Sequence, residues 1–129
     1  MQALEEILLL NTHRNFNFME IYKVFRKSEI AEFEKYGFSR GSQVDIHDGY
    51  IHFSCKDQLL ETIIKHFTNE KDLTLLVCDT KKLGDKLIWE KSRGNSIFPH
   101  LYRTLYAKDI KRQVFVAEQQ DSLISKENL

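Results

Sequence analysis

Residues 47–57, HDGYIHFSCKD, set two histidines and two aspartates around a short apolar run. Side chains alternate along a strand, so YIHFS places Tyr50, His52 and Ser54 on one face and Ile51 and Phe53 on the other. A strand that runs straight into a helix start holds His52 rigidly, and the free N–H groups of that start favour an anion. A half-buried histidine bonded to a backbone carbonyl would leave the same local pattern. Ser54, two positions on, is expected on the same polar face.

The stretch WEKSRGNSIFPHLY, residues 89–102, is the second candidate. Trp89 and Tyr102 can stack on a planar ligand. Arg93 beside Gly94 can hold an anion with little steric hindrance, and His100 follows Pro99, whose ring restricts the backbone. Glu90 is its only acid. A core tryptophan, a solvated arginine and an ordinary turn would account for part of this composition. A segment both apolar and rich in His, Arg and Tyr is harder to explain by packing, because buried polar groups need partners.

His47, His52, His66 and His100 are candidate metal ligands, but no H-x-x-x-H or H-E-x-x-H pair is present and no metal site is assigned. There is no GxGxxG, P-loop or G-x-S-x-G elbow. Cys55 and Cys78 form no CxxC pair and are expected to be reduced and structural. Cys55 at a helix start has no assigned base beside it, which weakens it as a nucleophile.

These residues need elements to place them. EIYKVFR reads as a strand buried on both faces. Ser28 is the expected cap of a helix over EIAEFEKYG, with Ile30, Phe33 and Tyr36 on one stripe and Gly37 ending it. A Gly and Ser loop follows, then the Asp48-Gly49 turn and the YIHFS strand. Ser54 with Asp57 forms an S-x-x-D capping box, opening a helix with Leu59, Leu60, Ile63, Ile64 and Phe67 on its apolar face. LTLLVCD reads as a central strand, LIWE as a shorter one and QVFVAE as the last, while SRGNSIFPHLYRTL reads as irregular. The expected fold is α+β, one domain with a split, mostly antiparallel, curved sheet and flanking helices. Residues 1–18 read as an N-terminal helical appendage, 19–117 as the domain and 118–129 as a polar tail.

At 129 residues, with 42% hydrophobic and 29% charged residues, the chain suits one globular core. No apolar run is long enough to cross a bilayer, and the opening MQALEEILLLNTHRN has no small-residue cleavage site, so a cytoplasmic protein is expected. Net charge is zero from 19 basic and 19 acidic residues, which removes bulk electrostatics as a reason to bind nucleic acid. Locally, Lys81 to Arg112 carries nine Lys or Arg against three acids, a surplus of six that the remainder offsets. That is a solvated face or the meeting place of a partner bearing phosphate or carboxylate.

IYK, DGYIHFS, LIWEKSRGN and FPHLY, in this order across about Glu20 to Val116, resemble the bacterial family known as domain of unknown function nine-five-two. The resemblance implies an ADP-ribosyltransferase-like fold, a split curved sheet that grips NAD in a central cleft. YIHFS is similar to the H-I-H-F-A segment of the RNA 2′-phosphotransferases, with His52 in place of the second histidine. First-strand Arg or His is usual in related transferases; IYKVF offers Lys23, which with Tyr22 is carried over as a ligand contact. Lys91 and Arg103 stand where many relatives have proline and glycine.

The leading expectation is therefore a cleft for NAD, ADP-ribose or another phosphorylated nucleotide, with NAD as candidate cofactor and transferase chemistry as one option. His52 would bond ribose or phosphate oxygens, Arg93 would neutralise phosphate, Trp89 or Tyr102 would stack, and Glu90 would stabilise an oxocarbenium-like centre or act as base, beside His100. The alternatives are a non-enzymatic ligand sensor or protein-interaction module, and a metal-dependent hydrolase built on the histidines.

Overall fold

The computed structural model describes residues 19–92 and 94–117; the expected appendage (1–18), the tail (118–129) and Arg93 lie outside the described residues. LTLLVCD forms β4 (Leu73–Asp79), between β1 (Glu20–Phe25) and β8 (Arg112–Val116) and antiparallel to both. Its stretch Leu75–Cys78 is continuously apolar because both faces of this sheet are covered. Ile21, Phe25, Leu76 and Cys78 pack into one core cluster, and Tyr22, Val24, Leu75 and Val77 into a second.

The second sheet has the order β3-β6-β5, from β3 (Ile51–His52), β6 (Ile97–Leu101) and β5 (Leu87–Lys91). The segment expected to be irregular thus supplies its middle strand. Pro99 argues against a central strand because it cannot donate to the ladder. Here its carbonyl accepts the Phe53 N–H at 3.0 Å, so the ring that replaces its own N–H faces the place where the β3 chain is leaving. One residue later that chain joins the other sheet: Tyr22 and Ser54 exchange both backbone hydrogen bonds at 2.9 Å. A short pair, β2 (Phe38–Ser39) with β7 (Leu105–Tyr106), completes the strands.

Four helices flank the sheets. Helix α1 (Lys27–Tyr36) is capped by Arg26 and not by Ser28, with the Arg26 N–H donating to Glu29 Oε1 at 2.7 Å. It ends as expected at Gly37, whose φ of 77° is cheap only for glycine. Helix α2 (Gln43–Asp48) occupies the stretch read as a loop; six residues are too few for periodicity to reveal. Helix α3 (Lys56–His66) is capped by Cys55, whose N–H donates to Gln58 Oε1, because the backbone of Ser54 is committed to β1. Its buried stripe is narrower than expected: Leu59, Ile63 and Phe67 are buried while Leu60 and Ile64 are exposed. Helix α4 (Thr80–Leu83) is a single turn after β4.

The architecture is a single α+β domain of antiparallel sheets and four helices. No described helix is long and apolar enough to cross a membrane. Neighbours on α3 offer a direct check of which face is buried. Ile63→Ala should cost about 2–5 kcal/mol, and Ile64→Ala, 55% exposed, under about 1 kcal/mol, by urea denaturation of both variants.

Candidate functional site

The site starts from a short helix that could not stand alone. Ser42 caps α2, its N–H donating to Asp45 Oδ2 at 2.8 Å while its hydroxyl accepts the Asp45 N–H. This S-x-x-D box has the same spacing that Ser54 and Asp57 offer, but here the acid is turned inward and only 2% exposed. Gly41 is required beside it. Its φ is 96°, and a Cβ there would stand 2.2 Å from Asp45 Oδ2.

Asp45 receives donors from three elements. Besides Ser42, Lys23 Nζ on β1 reaches Oδ2 at 2.6 Å, and His52 on β3 brings Nδ1 to Oδ1 at 2.6 Å and its backbone N–H at 3.1 Å. Burial alone would raise the carboxyl pKa. The His52 bond, Lys23 and the Ser42 N–H outweigh it and hold the group from its ordinary 3.8 down to about 2. Lys23 Nζ also donates to the His52 carbonyl at 3.1 Å, and His52 Nε2 faces Asp48 Oδ2 at 3.2 Å.

A second imidazole–carboxylate pair lies next door, because β3 and β6 pair His52 directly with His100. Their ring centroids are 5.2 Å apart, and the Tyr50 ring contacts both, stacked on His100 at 4.2 Å and tilted against His52 at 4.6 Å. His100 Nδ1 is 2.8 Å from Glu90 Oε1, which also accepts the Tyr102 hydroxyl at 2.6 Å. These bonds hold the Glu90 carboxyl below its usual range, push the Tyr102 phenol up to about 12, and leave burial to push the His100 imidazole down.

A cleft of about 480 Å³ opens at the seam between the two sheets. Lys23, Asp45, His52, Ser54 and His100 line it, with Tyr22 beside them, so most of the polar residues singled out in the sequence meet there although far apart in the chain. Others do not reach it. Trp89 is partly buried against the core cluster, and Glu90 and Tyr102 are outside the lining, with Glu90 bonded to His100, which is in it. The Ser54 hydroxyl is bonded to Thr62 at 2.8 Å. Arg93 is outside the described residues; its predecessor Ser92 lines the cleft.

Asp45, Asp48 and Tyr50 were not singled out as site residues. Asp45 carried a visible signal, the Gly41-Ser42-x-x-Asp45 pattern, but nothing local says that such an acid is buried. The cationic surplus of residues 81–112 is partly neutralised from outside the segment, Lys111 and Arg112 by Glu20, while Arg103 pairs within it with Asp109. Cys55 and Cys78 are buried and not joined in a disulfide, and burial pushes the Cys78 thiol up to about 12, which suits packing and not nucleophilic attack. Among the described residues, no three His, Cys, Asp or Glu side chains are grouped to hold a metal ion.

A family model described as "Protein of unknown function (DUF952)" matches residues 24–113. The crystal structure of protein CC0527 from Caulobacter crescentus is 35% identical over 81% of this chain and 97% of its own, with a TM-score of 0.74. The solution NMR structure of the same protein gives 38% identity, 79% and 88% coverage, and a TM-score of 0.70. No curated protein matches the chain.

Replacing Asp45 by Asn should strand Lys23 as a buried, unneutralised cation and cost about 3–5 kcal/mol at pH 7. The carboxyl titrates lower in the folded chain than in the unfolded one. Its stabilisation, on the order of 2 kcal/mol, is therefore complete above about pH 4 and lost as pH falls toward 2. Urea denaturation between pH 7 and pH 2.5 should show that acid-labile increment in wild type and not in Asp45→Asn.

Proposed function

The chain belongs to the DUF952 family, and we propose that its domain binds a phosphorylated nucleotide such as NAD or ADP-ribose in the cleft at the seam. The observation that carries this is the convergence of His52, His100, Lys23 and Ser54 on one cleft, at the point where the two sheets part. A volume of about 480 Å³ is in the range of small-molecule sites, and a few polar groups set in apolar walls is the usual composition. The walls include Phe67 and Phe98, which suit a base or pyridine ring. The resemblance to ADP-ribosyltransferases implies a split sheet with NAD in its central cleft and His52 in the place of the second histidine of H-I-H-F-A, and this reading follows it.

In this reading His52 bonds a ribose or phosphate oxygen. Buried Asp45 takes its Nδ1 and fixes the ring, and a ligand oxygen would share the Nε2 edge with Asp48, whose Oδ2 stands 3.2 Å from it. Of the two carboxylates in the cleft wall, Asp45 is taken up by Lys23, His52 and Ser42, so charge stabilisation at a sugar carbon falls to Asp48 and not to Glu90, which serves His100. Arg93, next to Ser92, is assigned to the phosphates. Lys23 acts by position, because its amine is taken up by Asp45 and the His52 carbonyl.

Thermal unfolding with NAD, ADP-ribose and ADP tests this. A ligand at a hundred times its Kd stabilises by about 2.7 kcal/mol, a Tm rise of about 10 °C or more for a domain of this size. His52→Ala removes a donor to a buried carboxylate and should cost about 1–3 kcal/mol of stability by itself. His52→Asn keeps an amide near the Nδ1 position, so it should retain most of the stability and lose the ligand-induced rise. Arg93→Ala should weaken binding more than Lys81→Ala or Lys82→Ala, with affinity falling as salt increases. Absence of any shift with all three nucleotides would overturn the proposal, and nicotinamide release from NAD distinguishes a transferase from a binder.

A further inference from the structure

His100 has a feature that the nucleotide reading leaves unused. Its ring is 1% exposed and lines the cleft, and its Nε2 is the only buried side-chain nitrogen or oxygen without a hydrogen-bond partner among the described residues. Buried polar atoms are almost always paired, so an orphan at a cleft wall points to a partner that arrives from outside.

The chemistry of that partner follows from the other side of the ring. Glu90 is an ionised carboxylate and can only accept, so an Nδ1 at 2.8 Å from it must carry the proton. Burial opposes a second proton and favours the neutral ring. A neutral imidazole protonated at Nδ1 presents a bare lone pair at Nε2. No group around it donates to it: Tyr50 offers the face of its ring, His52 packs at a steep angle with its Nδ1 held by Asp45 and its Nε2 facing Asp48, and Tyr102 gives its hydroxyl to Glu90.

We propose that His100 Nε2 is the cleft's acceptor for an uncharged donor on the ligand, a sugar hydroxyl, and that the ligand therefore enters ribose first with its phosphates kept away from this ring. A phosphate or carboxylate oxygen brings a lone pair against a lone pair and is excluded from this position. Tyr102 and Glu90 are then positioning residues that fix the tautomer through Nδ1. The inference rests on the cleft being a ligand site and adds which end of the ligand is read by which histidine.

The test uses ADP-ribose and inorganic pyrophosphate as probes of the full chain by calorimetry. His100→Phe keeps a flat ring against Tyr50 and deletes both nitrogens, whereas His100→Gln returns an acceptor. ADP-ribose affinity should fall about threefold to tenfold in His100→Phe and recover in His100→Gln, with pyrophosphate affinity equal in all three. Parallel losses for both probes would mean a structural role and overturn the proposal. A second measurement does not depend on how the variants fold: nitrogen-15 NMR of the wild-type histidines should find His100 protonated at Nδ1 and bare at Nε2. A proton on Nε2 overturns the proposal. If ADP-ribose fails to bind wild type, the nucleotide reading falls, and D-ribose then decides this inference: movement of the His100 Nε2 signal supports it, and a static signal refutes it.

Discussion

The ion pair between Lys23 and Asp45 is the contact on which the placement of the site depends. Its side chains are 7% and 1% exposed, so both charges have been taken almost wholly out of water. Such a pair contributes little net stability compared with well-packed apolar residues, because desolvation cancels most of the attraction. Its consequence is geometric. An uncompensated charge in that position is so unfavourable that β1, α2 and β3 must sit where Lys23, Asp45 and His52 can meet, and alternatives that separate them are excluded.

The six-residue helix α2 shows the effect most directly. A helix that short does not persist in water through its own hydrogen bonds. It is held by the Ser42 box at one end, the Gly49 cap at the other and Asp45 pinned between two strands. Gly41 is the local price of that arrangement, since any side chain there would collide with the carboxylate. Asp48, at the end of the same helix, is brought to the cleft wall by the same anchoring.

Much of the fold was legible because its signals are local. The central strand LTLLVCD, the Gly37 stop, the face alternation of YIHFS and the apolar side of α3 all follow from periodicity and capping chemistry. What was missed depends on contacts across the chain. Ser54 carries a good cap sequence, yet its backbone is taken by Tyr22, so the helix starts one residue later. Pro99 speaks against a strand until the divergence of β3 makes its missing N–H harmless. The site was legible to the same degree: His52 and His100 stand out by type and Lys23 through the family resemblance, whereas Asp45 looks like any surface acid until the tertiary fold buries it. Trp89 and Glu90 went the other way: they lie on β5, none of whose residues is in the cleft lining, although Ser92 just beyond it is.

The two imidazole–carboxylate pairs are arranged with opposite polarity, and this gives one small cleft two kinds of hydrogen bonding. In the first pair the acid is buried and the imidazole is the accessible member, with Asp45 at 1% and His52 at 29% side-chain exposure. In the second the imidazole is buried and the acid is accessible, with His100 at 2% and Glu90 at 38%. A buried acid with four donors is committed to its negative charge, and the ring it holds carries a proton toward it. A buried ring tied to a solvated acid is committed to neutrality, because the protein has kept the charge on the side that water can reach. Tyr50 lies against both rings and keeps them from relaxing toward each other. The two histidines are cross-strand neighbours, yet burial, distributed differently over an Asp–His and a Glu–His pair, makes them unequal partners for a ligand.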